Sequence, residues 1–234
     1  DNIDVEGMVT TNGSLAMSGN VAEQDAEIVA ALKEAGGIIV AKANMDKYAE
    51  HSQYSISDFG RVNNAFDLSK SSYGSSGGSA VAAAASLAPI CVGTDTNASI
   101  RVPASANGVV GIRPTKGLLS TEGITVCISE RDTAGPLAKS VTDVAIILTA
   151  MGNFQADYTQ YLSDESLEDM RVGVITSLSY GSDEIEGYFE DALDIIEGEG
   201  AEIVMMNFSL PSGYDADVSA YRQVFTSAMD RYDV

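Results

Sequence analysis

The sequence is poor in the residues that most metal, disulfide and nucleic-acid-binding sites need. It has one histidine, two cysteines, and 13 lysines and arginines against 34 acidic residues, for a formal charge of −21. One histidine and two separated cysteines give no metal-ligand spacing, and two cysteines are too few for a disulfide framework. An acidic chain also lacks the basic surface that nucleic acids require. We therefore expect no metal and no nucleic-acid partner, and we expect Cys91 and Cys127 to be reduced core residues.

Long apolar runs and phosphate-binding glycine loops are also missing. No stretch approaches the length of a membrane span, and no glycine pattern of the Walker or dinucleotide type occurs. These absences argue against a membrane span and against a cofactor. They leave the location open between the cytoplasm, which is favoured, and a secreted or cell-surface position.

Alternating helical and extended patterns run along the chain, and 45% of its 234 residues are hydrophobic. Such a chain can bury a substantial core, and the alternation predicts an α/β fold with a largely buried sheet. Helices are predicted at Ala22–Ala35, Ser79–Leu87, Val141–Met151 and Glu184–Glu199, and strands at Ala88–Val92, Ile38–Ala41, Arg171–Ile175 and Glu202–Phe208. The acidic excess is concentrated after residue 150, which is typical of a solvated outer layer.

Ser75 lies in the run from Tyr73 to Ser79, which is rich in glycine and serine. The apolar, alanine-rich stretch that follows is typical of a buried helix, and free N–H groups at a helix start can bind an anion or a polarised oxygen. A flexible Gly/Ser linker is the alternative. A linker need not be followed at once by an apolar helix, so the pattern favours a structured turn.

Ser99 follows the apolar segment Ala88–Val92, which is bounded by proline and glycine and is therefore predicted to be a short buried strand. A serine just past such a strand lies where α/β proteins usually place their chemistry. A lone serine at this point is more often a helix cap or a turn residue. The occurrence of Ser99 together with Ser75 favours a catalytic role instead.

The segments Tyr73–Ala104 and Gly108–Thr115 resemble the amidase signature family of serine hydrolases in the order and spacing of their residues. The resemblance implies an α/β fold in which a mixed β-sheet is sandwiched between helices. It also implies a single amidase signature domain over residues 1–234, with the signature segment at about residues 73–117.

Members of that family use a serine nucleophile, a second serine preceded by a cis peptide bond, and a lysine. The resemblance implies that Ser99 is the nucleophile and Ser75 the cis-serine, with the cis bond between Gly74 and Ser75. The implied reaction is hydrolysis of a small-molecule carboxylic amide through an acyl-enzyme on Ser99, releasing an acid and either ammonia or an amine. The oxyanion would be held by the backbone N–H groups of Thr96, Asn97, Ala98 and Ser99, and the supporting residues would be Ser76, Asp95 and Arg101.

This chain departs from the family pattern immediately before the nucleophile. Most members have two glycines there, whereas this chain has Asn97 and Ala98. Asparagine tolerates left-handed backbone conformations. Alanine would be strained by about 1 kcal/mol or more if the position required positive φ.

The first residues resemble the family segment Lys-Asp-Asn, but the numbering begins at Asp1. The catalytic lysine is therefore expected immediately before Asp1, and the isolated chain is expected to be inactive without it. Lys42 follows a predicted strand and is not expected to be the base, and the lone His51 is expected to be structural. Because the predicted helix at Ser219–Asp233 resembles one that leads into a further segment, the chain is expected to be the central part of a longer enzyme.

The stretches Phe59–Leu68 and Asp132–Pro136 look closest to the peptide-amidase-like branch. Two alternatives are kept. One is a glutamyl-tRNA amidotransferase A-type subunit, which would need partner subunits. The other is a catalytically impaired binding or scaffold homologue, which Asn97, Ala98 and the missing lysine support. A homodimer is left open.

Overall fold

The computed structural model describes residues 1–152, 155–163, 166–175 and 182–207. Among these residues, Asp1–Leu162 form one compact unit and those from Ser163 onward form a second. The fold is mixed α/β. The predicted helix at Ser219–Asp233 lies outside the described residues, and the single domain over residues 1–234 stays a prediction.

The first unit contains an antiparallel three-stranded sheet, a short hairpin, four helices and three short 3-10 turns. The 3-10 turns lie at Leu15–Met17, Lys47–Ala49 and Tyr158–Tyr161. The helices and strands are α1 (Glu27–Glu34), β1 (Ile56–Ser57), β2 (Gly60–Arg61), α2 (Gly77–Ala84), β3 (Ile90–Asp95), α3 (Arg101–Ala106), β4 (Val110–Gly111), β5 (Thr133–Ala138) and α4 (Val141–Met151).

Strand β5 lies in the middle of the sheet, between β3 and β4, and all six of its residues are buried. Its register with β3 runs from Ile90 opposite Ala138 to Asp95 opposite Thr133. Helix α2 packs on β3 and β5, and its buried face is made of glycine, serine and alanine. Small side chains let the helix approach the sheet closely, and this brings the Ser75 turn beside the end of β3.

Helix α4 has the predicted bounds Val141–Met151 and begins at Ser140, whose hydroxyl accepts a hydrogen bond from the Asp143 N–H at 3.0 Å. Its buried residues Ile147, Leu148 and Met151 pack with those of α1 in the main hydrophobic core. Leu119 and Ile124, from the loop between β4 and β5, belong to the same core. An apolar helix of this kind is stable because tertiary packing covers most of its surface.

Several predicted elements differ from the structure. Helix α2 spans Gly77–Ala84 where Ser79–Leu87 was predicted, and β3 spans Ile90–Asp95 where Ala88–Val92 was predicted. Helix α1 begins at Glu27 and not at Ala22, because the N–H groups of Ala22 and Ala26 bind the loop carbonyls of Met8 and Asp4, both at 3.0 Å. The predicted strand Ile38–Ala41 is wrong: in the described residues this segment pairs with no strand. Ile38 is 86% exposed. A short apolar run becomes a strand only where a neighbour accepts its backbone hydrogen bonds.

The described part of the second unit contains two parallel strands and one helix. They are β6 (Arg171–Ile175), α5 (Asp183–Gly198) and β7 (Glu202–Met206). Ser182 caps α5 by accepting a hydrogen bond from the Ile185 N–H, and three acidic residues in the first turn complement the helix dipole. The predicted strand at Glu202–Phe208 is thus observed as far as Met206, and Phe208 lies outside the described residues.

Candidate active site

The turn before α2 holds Ser75 by its backbone. The peptide bond between Gly74 and Ser75 is cis, as the family resemblance implied. The Ser75 carbonyl accepts a hydrogen bond from the Asp46 N–H at 2.9 Å, and the Gly74 N–H donates to the Ser52 carbonyl at 2.9 Å. Ser75 is fully buried, and its hydroxyl has no hydrogen-bond partner among the described residues.

The glycines of this turn are needed for close packing and not for positive φ. None of Gly74, Gly77 and Gly78 has a positive φ. A Cβ atom at Gly74 would lie 2.4 Å from the Tyr54 carbonyl oxygen, and one at Gly78 would lie 2.1 Å from the Asn44 carbonyl oxygen. The backbone around Ser75 is therefore packed against neighbouring backbone with no room for side chains.

Ser76 connects the two serine segments. Its N–H donates to the Ser99 carbonyl at 3.1 Å. Its hydroxyl donates to the Thr94 carbonyl at 3.0 Å and accepts from the Thr94 N–H at 3.1 Å. The structure therefore brings Ser75 and Ser99 to neighbouring positions at the end of β3, with Ser76 between them.

The loop that carries Ser99 is held by a buried carboxylate. Asp95 ends β3 and is fully buried. Its Oδ2 accepts hydrogen bonds from the Ile100 N–H and from Arg101 Nε, both at 3.1 Å. Its Oδ1 lies 3.2 Å from Arg113 Nε. Arg101 also donates from Nη2 to the Asn97 carbonyl at 2.7 Å, so Arg101 links Asp95 to the loop.

The amides of this loop are free to bind a ligand. Within the described residues, the N–H groups of Asn97, Ala98 and Ser99 have no hydrogen-bond acceptor, although Ser99 is only 5% exposed. Neither Asn97 nor Ala98 has a positive φ, so the methyl group of Ala98 imposes no left-handed strain. Three adjacent unpaired amides are suited to receive negative charge on an oxygen atom.

Three charged residues of this site were not predicted from the sequence as site residues. Arg113 completes the pairing of Asp95. Arg131 donates from Nη1 to Asn97 Oδ1 at 3.1 Å, and its carbonyl accepts from Arg113 Nη2 at 2.6 Å. Asp132 is buried beside the same loop. Arg113 lies 18 residues from Asp95 in sequence and Arg131 lies 34 from Asn97, so no local pattern could indicate these pairings.

Lys42 and His51 have other contacts. Lys42 donates from Nζ to the Val9 carbonyl at 2.8 Å and to Thr10 Oγ1 at 2.6 Å, and burial lowers its pKa to about 8. The His51 ring stacks on Tyr54, and its Nδ1 lies 3.3 Å from Asp46 Oδ2. Both residues therefore tie loops of the first unit together.

Both cysteines are reduced thiols, Cys127 buried and Cys91 half-buried. Burial raises the pKa of the Cys91 thiol to about 11, which leaves it protonated at neutral pH. In the part of the chain that the structure describes, no group of His, Cys, Asp or Glu side chains could hold a metal ion. No helix among those residues is long and apolar enough to cross a bilayer.

The sequence matches the family model described as Amidase over residues 1–233. The chain belongs to the amidase family. It is a member of the amidase signature hydrolases, for which a serine-based triad is typical. Ser75 and Ser99, the two buried serines of the site, both lie within the matched region.

This amidase chain is similar both to A-type subunits of glutamyl-tRNA(Gln) amidotransferase and to a peptide amidase. The A-type subunit of glutamyl-tRNA(Gln) amidotransferase from Halorhodospira halophila is 39% identical over 227 residues, covering 89% of this chain and 47% of that relative. The peptide amidase of Stenotrophomonas maltophilia has a TM-score of 0.86 at 34% identity, covering 99% of this chain and 51% of that one. The corresponding A-type amidotransferase subunit of Thermotoga maritima has a TM-score of 0.83 at 31% identity, covering 99% and 53%. The chain spans about half the length of the relatives that it matches.

Proposed function

We propose that this chain carries the catalytic serines of an enzyme that hydrolyses carboxylic amides through an acyl-enzyme on Ser99. The observation that carries the proposal is the Ser75 hydroxyl, which is buried, unpaired within the described residues, and one residue from the hydrogen bond between Ser76 and Ser99. An unpaired buried polar group costs about 1–3 kcal/mol. A proton relay gives a reason to retain such a hydroxyl, because its partners are then the nucleophile and the base.

In the proposed reaction, the Ser99 hydroxyl attacks the amide carbon and passes its proton to Ser75. The oxyanion that forms is held by N–H groups of the loop from Thr96 to Ser99, of which those of Asn97, Ala98 and Ser99 are free. They remain in place because Asp95 binds the residues that follow the loop. The amine or ammonia takes the proton back through the same relay and leaves. Water then hydrolyses the acyl-enzyme.

The relay needs a base beyond Ser75, and we propose a lysine immediately before Asp1. Lys42 is a poor alternative because its Nζ is already hydrogen-bonded to Val9 and Thr10 and lies 3.5 Å from Asp1 Oδ1. We therefore expect the 234-residue chain alone to show little turnover, and we expect turnover to rise as the lysine deprotonates in a preparation that includes it. Replacing that lysine by alanine should abolish the activity, as measured by release of acid from a simple amide.

The proposed substrates are carboxylic amides other than ordinary internal peptide bonds. Similarity to a peptide amidase supports the first candidate, a peptide-amidase-like enzyme. Similarity to A-type amidotransferase subunits supports the second candidate, a subunit that works with partners. Purification from the native source distinguishes them: a lone amidase elutes without partners and hydrolyses amides, whereas an amidotransferase subunit co-purifies with other subunits and depends on them for activity.

A serine-directed fluorophosphonate probe tests the nucleophile. In the active enzyme, Ser99→Ala should abolish labelling and lower kcat by about 10⁴-fold or more. Ser75→Ala should leave a folded protein whose kcat is lower by about 10²- to 10⁴-fold. Ser105→Ala, an exposed serine on α3, is the matched control and should label normally.

Labelling that persists in Ser99→Ala would remove the assignment of the nucleophile. Absence of both labelling and amide hydrolysis in a folded wild-type enzyme that includes the upstream lysine would instead favour the binding or scaffold homologue.

A further inference from the structure

The paired ends of β3 and β5 lead directly into the Ser99 loop and into the turn before β5. The last paired residues are Asp95 and Thr133. Continuing that register by one residue places Thr96 opposite Asp132, and by two places Asn97 opposite Arg131. A side-chain hydrogen bond joins the second pair, from Arg131 Nη1 to Asn97 Oδ1 at 3.1 Å. In the first pair, the neighbouring Thr96 hydroxyl acts to lower the pKa of the Asp132 carboxyl. The turn before β5 is thus attached to the loop before Ser99 through Arg131 and Asn97.

Asp132 is the buried member of this turn, with 5% of its surface exposed. Its Oδ2 accepts hydrogen bonds from the N–H groups of Ile128, at 3.0 Å, and Cys127. Its backbone carbonyl accepts from Lys116 Nζ at 2.8 Å. The other carboxyl oxygen, Oδ1, has no hydrogen-bond partner in the described residues. Burial raises the pKa of this carboxyl, and the Thr96 hydroxyl and the two N–H groups oppose that rise.

A buried carboxyl with one unsatisfied oxygen calls for an explanation, because a smaller apolar side chain would fill the site without that cost. The hydrogen bonds that Oδ2 accepts from Cys127 and Ile128 close the turn, but an uncharged acceptor such as an asparagine side chain could do the same. The position of Asp132 opposite Thr96 suggests a second role, since Thr96 is followed directly by the three residues whose N–H groups are free. Donors stabilise an oxyanion only when they lie within hydrogen-bond distance of the place where the charge develops.

We infer that Asp132 is a positioning residue for the oxyanion loop: it holds Thr96 against the turn from Cys127 to Asp132, and thereby aims the amides of the residues that follow. This inference rests on the proposed function, because it assigns those amides to the oxyanion. Asp132 itself need not touch the substrate. Arg131 acts on the same loop from the outside through Asn97.

The test compares Asp132→Ala, Asp132→Asn and Thr96→Val with a matched control, Glu130→Gln. Glu130 is an exposed carboxylate in the same turn, two residues away. In the active enzyme, with a small neutral amide, Asp132→Ala should lower kcat about 10- to 100-fold and leave KM within about twofold, because the loss falls on the transition state. Thr96→Val should lower kcat in the same direction, and Asp132→Asn, which keeps an acceptor for Ile128, should lower it less. Glu130→Gln should match the wild type.

Amide hydrogen exchange gives a readout that does not need catalysis. In Asp132→Ala and Thr96→Val, the hydrogen-bonded amides at the end of the loop, those of Ile100 and Val102, should exchange faster than in the wild type, while peptides from α4 should be unchanged. If Asp132→Ala does not fold, the kinetic constants and the amide exchange are measured on Thr96→Val and Asp132→Asn instead.

A change in KM as large as the change in kcat would overturn the inference. So would a wild-type kcat together with wild-type amide exchange in the folded variants. If the wild-type enzyme hydrolyses no amide, the proposed function fails. The exchange data would then still decide whether Asp132 holds the loop: wild-type exchange in the variants would reject that role as well.

Discussion

The turn that holds Ser75 and the loop that holds Ser99 are positioned by different kinds of contact. Around Ser75, backbone packs on backbone, with glycines that leave no space for a Cβ atom. Around Ser99, the fully buried Asp95 carboxylate forms ion pairs with Arg101 and Arg113 and accepts a hydrogen bond from the Ile100 N–H. One segment is therefore sensitive to volume and the other to charge. The two are joined by Ser76, which hydrogen-bonds to both Thr94 and Ser99.

The difference follows from what each segment must expose. The Ser75 turn keeps its serine side chain inside the protein, so it can be enclosed by close backbone packing. Under the proposed function, the Ser99 loop leaves its own amides unpaired for the oxyanion, and it therefore cannot be held through them. Charged side chains that bind its carbonyl and its flanking residues hold it without using those N–H groups.

The largest expected effect is on the Ser75 side. Gly78→Ala would place a Cβ atom 2.1 Å from the Asn44 carbonyl oxygen, so backbone must move. We expect a loss of about 3 kcal/mol or more in the free energy of unfolding, measured by denaturant titration. The control is Gly187→Ala in α5, where a Cβ atom meets nothing within 4 Å. It should stabilise α5 by up to about 1 kcal/mol. A tolerated Gly78→Ala would contradict the role of close packing.

A smaller but clear loss is expected on the Ser99 side. Asp95→Asn keeps the shape of the side chain but removes the charge that pairs with Arg101 and Arg113. We expect the free energy of unfolding to fall by about 1–3 kcal/mol, with a parallel fall in fluorophosphonate labelling rate. Asp58→Asn removes an exposed pair with Lys47 and should change little. Equal effects of the two substitutions would show that the buried carboxylate does not hold the loop.

Ala98→Gly tests whether the Ala98 methyl group strains the Ser99 loop. Because Ala98 has no positive φ, glycine relieves no strain and only adds conformational entropy to the unfolded chain. Thermal unfolding should show a destabilisation below about 1 kcal/mol. An increase in stability would mean that this position requires a left-handed conformation after all.

The smallest effect is expected in the pH dependence of stability. Burial raises the pKa of Asp46, the residue whose N–H binds the Ser75 carbonyl, although the N–H groups of Ile56 and His51 oppose the rise. A raised pKa means that the folded protein binds the proton more tightly than the unfolded chain does. Its stabilising contribution is present below the ordinary aspartate pKa and is lost as pH rises through the folded value.

Asp46→Asn should therefore flatten the fall of stability that occurs as pH rises above about 4. Thermal unfolding of both proteins across pH 3 to 7 measures it. Parallel curves for the wild type and the variant would show that Asp46 does not contribute to the pH dependence.

Much of the fold could be predicted from the sequence where a pattern is local. Helix α4 and strand β6 were predicted with their observed bounds, because an apolar run with a serine cap and a short β-branched run are strong local signals. Helix α1 was predicted too early and Ile38–Ala41 was wrongly predicted as a strand. In both cases the partner for the backbone hydrogen bonds, or its absence, lies elsewhere in the chain.

Residue types at short fixed spacings were enough to predict the family, the fold class, the two serine segments and the cis bond before Ser75. The folded structure was needed to show that the glycines before α2 are required for space, that Ala98 is unstrained, and that Arg113, Arg131 and Asp132 lie around the Ser99 loop. Such contacts join residues far apart in the chain. They are set by the register of β3 with β5 and by the packing of α2, which no local pattern specifies.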